Sequence, residues 1–189
     1  MIKIGILGDI GAGKSYVAQN FGYPVFNADH EVAKLYQNNK NTFNKLKGEL
    51  PKYIHSFPIR KKEISNAILA NKNNLNKIVK IVHTEVRKKM NNFLNTNKNK
   101  KIVILDIPLF LENKINDKKD ILVYVQSKKS SILKRLKKRK NFNQKLLKKF
   151  KAIQYPTSYK KKKSNFVIKN NFTKKSINDG INNILKEII

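Results

Sequence analysis

A glycine-rich segment near the start of the chain has the residue types and the spacing of a phosphate-binding loop. Its sequence, Gly8-Asp9-Ile10-Gly11-Ala12-Gly13-Lys14-Ser15, fits the pattern G-x-x-x-x-G-K-[ST] in full. Glycines allow such a loop to curl until its backbone N–H groups point at phosphate oxygens. The lysine of the pattern reaches the β- and γ-phosphates, and the hydroxyl after it can bind Mg²⁺. We therefore expect a nucleoside triphosphate to be bound, with Mg²⁺, by these residues: Gly8, Gly11, Ala12, Gly13, Lys14, Ser15 and Tyr16.

The residues on either side of the loop agree with this interpretation. Ile2–Leu7 is short and apolar, as is typical of a buried strand, and Lys14–Phe21 has helical spacing. One residue inside the loop is unusual, because Asp9 introduces a carboxylate where anions bind. We expect the Asp9 side chain to point away from the phosphates, or to bind a cation or the substrate.

A second candidate for metal binding is Asp106, which follows the apolar segment Lys101–Leu105. A carboxylate at the end of a buried strand is typical of the Walker B position, which holds Mg²⁺ directly or through water. An ordinary aspartate at a strand end is an equally good interpretation. The predicted metal ligands are Ser15 and Asp106.

Strands and helices alternate along the whole chain. Besides the two already given, the predicted strands are Tyr23–Phe26, Ile121–Val125 and Phe166–Ile168. The predicted helices are Asp29–Gln37, a short one around Thr42–Lys47, Lys61–Ala70, Leu75–Leu94, Ser130–Lys138, Gln144–Ile153 and Ile177–Ile189. This alternation predicts an α/β fold in three layers, with a parallel sheet covered by helices on both faces. Ligands are then expected at the carboxyl ends of the strands.

The composition is strongly basic, with a formal net charge of +30. One interpretation is a polyanionic partner such as nucleic acid. The other is a bias of composition, since Lys, Asn and Ile are in excess throughout and only four of the 42 basic residues are arginine. We favour the second interpretation, because nucleic-acid binders usually rely on arginine for bidentate contacts. There is no cysteine and no long apolar segment, and the start is not typical of a signal peptide, so we expect a cytoplasmic protein that needs no membrane.

Phosphate loops occur in switches, motors and kinases. A GTPase would carry an Asn-Lys-x-Asp motif after a strand, and the sequence has none. A motor usually belongs to a larger domain. A chain of 189 residues that begins at the loop is typical of a kinase for a nucleoside or a small metabolite.

The chain also resembles the dephospho-coenzyme A kinase family along nearly its whole length. The family begins G-L-T-G-G-I-G-S-G-K-[ST], to which residues 5–15 are similar. Its D-A-D and P-L-L-x-E segments are similar to Asn27-Ala28-Asp29 and Pro108-Leu109-Phe110-Leu111-Glu112. Further similar positions are Arg60 before a helix, His83-Thr84 in a long helix, Arg135 and Arg139 in the lid, then Gln154, Lys160 and Ser164–Asn170, the last aligned with A-D-x-V-I-x-N.

This resemblance implies transfer of a phosphoryl group from ATP to the ribose 3′-hydroxyl of dephospho-coenzyme A. Asp29 would accept the proton of that hydroxyl, although an aspartate in the first turn of a helix is also favoured by the helix dipole alone. Arg135 and Arg139, four residues apart on one predicted helical face, would clamp the ATP phosphates. The implied catalytic residues are Lys14, Asp29, Arg135 and Arg139, and the implied substrate-binding residues are Asp29, Arg60, His83 and Pro108.

The resemblance also implies a division of the chain by function. The core would contain residues 1–54, 96–126 and 164–189, the helical substrate-binding region residues 55–95, and the lid residues 127–163. We expect dephospho-coenzyme A as the small-molecule partner, no obligatory nucleic acid, and a monomer or weak homo-oligomer.

Several residues depart from the family pattern. Asn27 stands where the family has aspartate, Thr84 where it has proline, Ser164-Asn165 where it has Ala-Asp, and Lys149 where it usually has arginine. Three alternatives stay open at this point. One is another small nucleoside or nucleotide kinase, and a second, suggested by the net charge of +30, is a nucleic-acid-binding protein with a phosphate loop. The third, suggested by the departures at Asn27 and Ser164-Asn165, is a relative that binds ATP but has lost transfer.

Overall fold

The computed structural model describes residues 1–140 and 142–189 and divides them into two compact units. The first unit contains Met1–Asn27, Asn97–Phe142 and Ile153–Ile189, and the second contains Ala28–Thr96 and Asn143–Ala152. The helices, in chain order, are α1 Lys14–Asn20, α2 Ala28–Asn38, α3 Lys40–Glu49, α4 Lys61–Ala70, α5 Lys72–Thr96, α6 Lys129–Lys137, α7 Gln144–Ala152, α8 Thr157–Lys163 and α9 Lys174–Ile188. No helix among these described residues has the length and apolar character needed to cross a membrane.

The first unit is built on a parallel sheet. Its strands are β1 Ile2–Gly8, β2 Val25–Asn27, β3 Ile102–Asp106, β4 Ile121–Gln126 and β5 Phe166–Lys169, in the order β2-β3-β1-β4-β5. All five residues of β3 are buried. Because successive side chains of a strand point to opposite faces, this burial means that both faces of the sheet are covered. The predicted α/β fold with a parallel sheet is confirmed.

The order of the strands decides where the phosphate loop lies. β1 is the central strand, paired with β3 on one side and β4 on the other. The loop leaves the carboxyl end of β1, so the ends of β3 and β4 flank it. The last residue of β2, Asn27, is paired with Asp106, the last residue of β3. The carboxyl ends of β2 and β3 thus place Asn27 and Asp106 on the same side of the sheet as the phosphate loop.

The second unit contains α2, α3, α4, α5 and α7. The long helix α5 buries one face, made of Leu75, Ile78, Val82, Val86 and Met90. Helices α2, α3 and α4 pack against α5. The functional boundaries expected from the sequence follow a different division, since they group residues 28–54 with the core, and they stay a prediction.

Two helices differ from the sequence expectation in ways that matter for the site. Helix α6 ends at Lys137, so Arg139 lies beyond its end, and the expectation that Arg135 and Arg139 share one helical face is wrong. The chain turns more tightly at this point, because the backbone N–H of Arg139 donates to the carbonyl of Leu136, three residues back, as in a 3₁₀ turn. The run Lys160–Lys163 was expected only as a cluster of charge, but it forms the last part of α8.

We expect that Gly5→Ala destabilises the protein and that Gly48→Ala does not. A Cβ at Gly5, inside β1, would overlap the buried ring of Phe110, so overpacking should cost about 1–3 kcal/mol. A Cβ at Gly48, exposed in α3, meets no atom within 4 Å, so the same change should add about 0.5–1 kcal/mol through helix propensity. Urea unfolding of both variants measures this, and equal changes would contradict the packing described for Gly5.

Candidate active site

The phosphate loop is a tight curl that glycine permits. Gly11 and Gly13 have φ angles of 87° and 93°, in the left-handed region that other residues rarely adopt. A Cβ at Gly13 would also lie 2.5 Å from Nδ2 of Asn170. The backbone N–H of Ala12 donates to the carbonyl of Asp9 at 3.1 Å, which closes the turn. The motif found in the sequence therefore has the loop geometry that the pattern predicts.

Lys14 lies over the inside of this loop. Its Nζ donates to the carbonyl oxygens of Gly8 at 3.2 Å and Asp9 at 3.0 Å. An ammonium held in this way sits next to the backbone that would surround a phosphate group. It is therefore in position to exchange carbonyl oxygens for phosphate oxygens when a nucleotide binds.

Ser15 and Asp106 are brought together at the carboxyl end of β3. The Ser15 hydroxyl is hydrogen-bonded to the Asp106 carboxylate, which is only 3% exposed. Burial raises the pKa of Asp106, while the Ser15 hydrogen bond, the Lys14 charge and the hydrogen bond from Asn27 each act to lower it. A hydroxyl and a carboxylate are hard oxygen ligands that suit Mg²⁺, which usually binds one or two carboxylates together with water and substrate phosphates. These two residues fit the ion.

Asn27, which replaces the first aspartate of the family pattern, has a defined contact in this site. Its Nδ2 donates to Oδ2 of Asp106 at 2.6 Å. An aspartate at position 27 would place a second carboxylate at that distance. The departure therefore exchanges a charge–charge contact for a hydrogen bond to the same carboxylate.

Asp9, the unusual carboxylate of the loop, faces helix α8. Its Oδ1 accepts a hydrogen bond from the Thr157 hydroxyl at 3.2 Å. The pKa of the neighbouring Tyr124 is raised to about 12, mainly because the residue is buried and also because of the negative charge of Asp9. A hydrogen bond with Thr157 acts in the opposite direction. These residues line a cavity of about 230 Å³ beside the loop. The contact with Thr157 supports the expectation that the Asp9 side chain is not directed at the phosphates.

Pro108 lines a smaller cavity with Lys14, next to a buried ion pair. In this pair, Lys160 Nζ lies 3.1 Å from Oε1 of Glu112. Lys160 also donates to Oε1 of Gln154 at 3.1 Å, and the cavity of about 10 Å³ has the size of one water molecule. The sequence resemblance included Glu112, Gln154 and Lys160 but gave them no role. Through the ion pair with Glu112, Lys160 connects α8 to the segment that follows β3, and the Gln154 amide provides a second hydrogen bond to the same lysine.

The sequence did not reveal two residues that donate hydrogen bonds to the backbone of the phosphate loop. The carbonyl oxygen of Ala12 accepts hydrogen bonds from Ser127 Oγ at 3.0 Å and from Asn170 Nδ2 at 2.8 Å. The only sequence signal was the asparagine that ends the family's A-D-x-V-I-x-N segment, which is Asn170 here. Nothing in the sequence distinguished Ser127 from other serines.

The two arginines that the sequence assigns to a lid have different surroundings. The Arg135 guanidinium lies over the ring of Phe172, with Cζ 4.4 Å from the ring centroid. Arg139 is exposed beyond the end of α6. The structure therefore gives Arg135 a fixed partner close to the phosphate loop. The roles of both residues stay predictions.

Three residues expected to bind the substrate belong to the second unit. Asp29 is exposed in the first turn of α2. Arg60 is exposed immediately before α4, and its backbone N–H donates to Glu63 Oε2 at 3.4 Å. His83 is half-buried in α5, where burial and then the charge of Arg87 lower its pKa. Their roles stay predictions.

The departure at Ser164-Asn165 has a structural role. Asn165 Oδ1 accepts a hydrogen bond from the backbone N–H of Leu122 at 2.8 Å, and the backbone N–H of Asn165 donates to the carbonyl of Leu122 at 2.8 Å. An aspartate can accept the first of these bonds equally well. Asparagine at position 165 therefore preserves the connection between β4 and the start of β5.

The sequence model of the dephospho-CoA kinase family matches residues 2–176 of the chain. The chain belongs to the dephospho-CoA kinase family. A relative from Wolbachia sp. subsp. Brugia malayi, named dephospho-CoA kinase, is 29% identical over 190 residues, covering 98% of this chain and 97% of the relative.

Solved structures support the fold of this dephospho-CoA kinase family member. A Thermus thermophilus protein aligns with a TM-score of 0.79 at 24% identity, over 100% of this chain and 98% of that chain. A dephospho-CoA kinase from Campylobacter jejuni aligns with a TM-score of 0.61 at 20% identity, over 98% of this chain and 96% of that chain. The expected resemblance and the phosphate-loop kinase fold are both confirmed.

We expect Asn27→Asp to destabilise the protein without divalent cations and to make Mg²⁺ more stabilising. The substitution would remove the hydrogen bond from Asn27 to Asp106 and place two carboxylates side by side. This should lower the free energy of unfolding by about 1–3 kcal/mol. A divalent cation relieves that repulsion, and ligand binding to the folded state raises its stability. The measurement is thermal unfolding at neutral pH with and without MgCl₂. Asn165→Asp is the matched control, and equal responses of the two variants would contradict the assignment.

We expect His83 to add a pH dependence to stability. Its pKa in the folded protein lies below the ordinary histidine value of 6.5, so the unfolded chain binds more protons between the two values. Its contribution is therefore complete above pH 6.5 and is lost as the pH falls toward the lowered pKa. His83→Gln should flatten the rise of the free energy of unfolding across this window, measured by urea unfolding at several pH values. Parallel profiles for both proteins would rule out this role.

Proposed function

We propose that the protein transfers the γ-phosphoryl group of ATP to the ribose 3′-hydroxyl of dephospho-coenzyme A, giving ADP and coenzyme A. The observation that carries this proposal is the complete phosphate loop in a member of the dephospho-CoA kinase family, with Lys14, Ser15 and Asp106 gathered beside it. Each of these groups matches a requirement of phosphoryl transfer.

The loop would bind the β- and γ-phosphates through its backbone N–H groups. Lys14, now bonded to the carbonyls of Gly8 and Asp9, would move its donors to phosphate oxygens and offset their charge. Ser15 and Asp106 would hold Mg²⁺, which supplies charge neutralisation of the phosphates when bound. The ordered loop binds ATP in one orientation before transfer begins.

Asp29 is the proposed general base, by its match to the second aspartate of the family's D-A-D segment. Its carboxylate would accept the proton of the 3′-hydroxyl as that oxygen forms a bond to the γ-phosphorus. The bond between the γ-phosphorus and the bridging oxygen breaks in the same step, and ADP leaves with the electron pair. No covalent enzyme intermediate is required.

The remaining predicted residues would act in binding. Arg135 and Arg139 would contact the ATP phosphates, and closure of the lid would exclude water from the reaction. Arg60 would bind a phosphate of the acceptor, while His83 and Pro108 would line the acceptor site. We further propose that the enzyme acts in the cytoplasm as a monomer or weak homo-oligomer and that it needs no nucleic acid.

Replacement of Asp29 by asparagine should separate catalysis from ATP binding. Asp29→Asn keeps the shape of the side chain but removes the base, so kcat for acceptor-dependent ADP formation should fall by about 10²- to 10⁴-fold. The dissociation constant for ATP should change by less than about twofold, because the phosphate loop is intact. ADP release with Mg²⁺-ATP, with and without dephospho-coenzyme A, measures the first quantity, and calorimetric titration measures the second.

Asp179→Asn is the control for this experiment, since Asp179 is an exposed carboxylate in α9. It should retain the wild-type kcat. Absence of acceptor-dependent turnover in the wild-type protein, despite ATP binding, would refute the proposed reaction. Turnover with a nucleoside or nucleotide instead would assign the protein to another class of small kinase.

A further inference from the structure

Asn170 connects two parts of the candidate site through the two ends of its side-chain amide. The side chain is buried, with the residue only 3% exposed. Nδ2 donates to the carbonyl of Ala12 at 2.8 Å, and Oδ1 accepts from the backbone N–H of Phe172 at 2.7 Å. The backbone N–H of Asn170 donates to the carbonyl of Gln126 at 2.8 Å, which anchors the residue to the end of β4. The amide therefore has fixed partners on both sides.

The contact with Ala12 sets the orientation of a peptide group in the phosphate loop. The C=O of Ala12 and the N–H of Gly13 belong to one planar trans peptide, so they point in opposite directions. Asn170 and Ser127 both donate to that carbonyl, which turns it toward the protein interior. The N–H of Gly13 is thereby turned to the opposite side, where the loop is open to a phosphate group. Asn170 also packs closely against the loop, because a Cβ at Gly13 would lie only 2.5 Å from Asn170 Nδ2, so the contact requires glycine at position 13.

The contact with Phe172 connects Asn170 to Arg135. Phe172 has a φ of 68°, a conformation that costs free energy for a residue with a Cβ and needs support from its surroundings. The hydrogen bond from its N–H to Asn170 Oδ1 supplies that support. The ring then lies under Arg135, 4.4 Å from the guanidinium carbon. The same ring lies close to the loop, since a Cβ at Gly13 would be 3.6 Å from Phe172 Cε1.

We propose that Asn170 is a positioning residue that prepares the site for ATP from two directions. One end of its amide orients the Ala12–Gly13 peptide, and the other holds Phe172 as a platform for Arg135. The proposal deepens the proposed function, on which it rests for the identity of the nucleotide. It adds to that function a set of three positions, Ser127, Asn170 and Phe172, that act on ATP without touching the reacting atoms.

Asn170→Asp tests the first contact with almost no change of shape. The variant keeps an oxygen that can accept from Phe172 N–H but turns the donor facing Ala12 into a second acceptor. The dissociation constant for ATP should rise about tenfold or more, since a buried hydrogen bond is replaced by repulsion. Asn171→Asp adds the same charge at the adjacent exposed residue and should change the constant by less than about twofold. Calorimetric titration with Mg²⁺-ATP measures both and needs no acceptor.

A double-mutant cycle in ATP binding tests the second contact. Phe172→Leu should raise the dissociation constant severalfold in the wild-type background but by less than about twofold in the Arg135→Ala background. A protein in which Phe172 only stabilises the fold would show the same effect in both backgrounds. That result would overturn the link to Arg135.

The remaining outcomes also decide the proposal. If Asn170→Asp fails to fold, Ser127→Ala removes only the longer of the two hydrogen bonds to the Ala12 carbonyl and should raise the dissociation constant for ATP about threefold. Wild-type binding by a folded Asn170→Asp, or by Ser127→Ala in its place, would overturn the first contact. A wild-type protein that binds ATP but shows no turnover with dephospho-coenzyme A would refute the proposed reaction while leaving these binding results valid.

Discussion

The structure depends on one constraint, which is that a backbone curled tightly enough to surround a phosphate must turn some of its own polar groups inward. A buried carbonyl without a donor costs about as much as a lost hydrogen bond. Here the inward carbonyl of Ala12 receives two donors, from Ser127 after β4 and from Asn170 after β5. The strands on one side of β1 therefore complete the loop that β1 begins. The strand order therefore places the donors that the buried carbonyl of the loop requires.

On the opposite side of β1, the end of β3 carries a buried negative charge that has favourable neighbours. Asp106 is a buried carboxylate, and its neighbours are a hydroxyl, an amide and an ammonium. A carboxylate in such surroundings is available to a cation without a second negative charge at its side. The replacement of the family's aspartate by Asn27 is thus compatible with a working metal site. At Asn27 a hydrogen bond to Asp106 takes the place of a second carboxylate, and at Asn165 the side-chain oxygen accepts a hydrogen bond that an aspartate would also accept.

How far the sequence predicts this site depends on how local each interaction is. The phosphate loop was predictable because its motif, strand and helix are contiguous. The position of Asp106 beside the loop, though not its proposed role as a metal ligand, was predictable because the carboxyl ends of parallel strands meet at one edge of the sheet. Asn170 was not, since its partner Ala12 lies 158 positions away and only the folded sheet joins them. The helical form of the lysine run in α8 was missed for a related reason. Lys160, the first residue of the run, is buried in an ion pair with Glu112, which lies far away in the sequence and gives no local indication of this contact.

The pair formed by Lys160 and Glu112 has a consequence for which substitutions this protein tolerates. Both side chains are nearly excluded from solvent, at 5% and 9% exposure. Removing either partner alone would leave an uncompensated buried charge, at a cost of about 3–5 kcal/mol. The two positions are therefore coupled, although they lie far apart in the sequence. Replacing both residues by apolar side chains of similar volume is expected to cost less free energy of unfolding than replacing one of them alone.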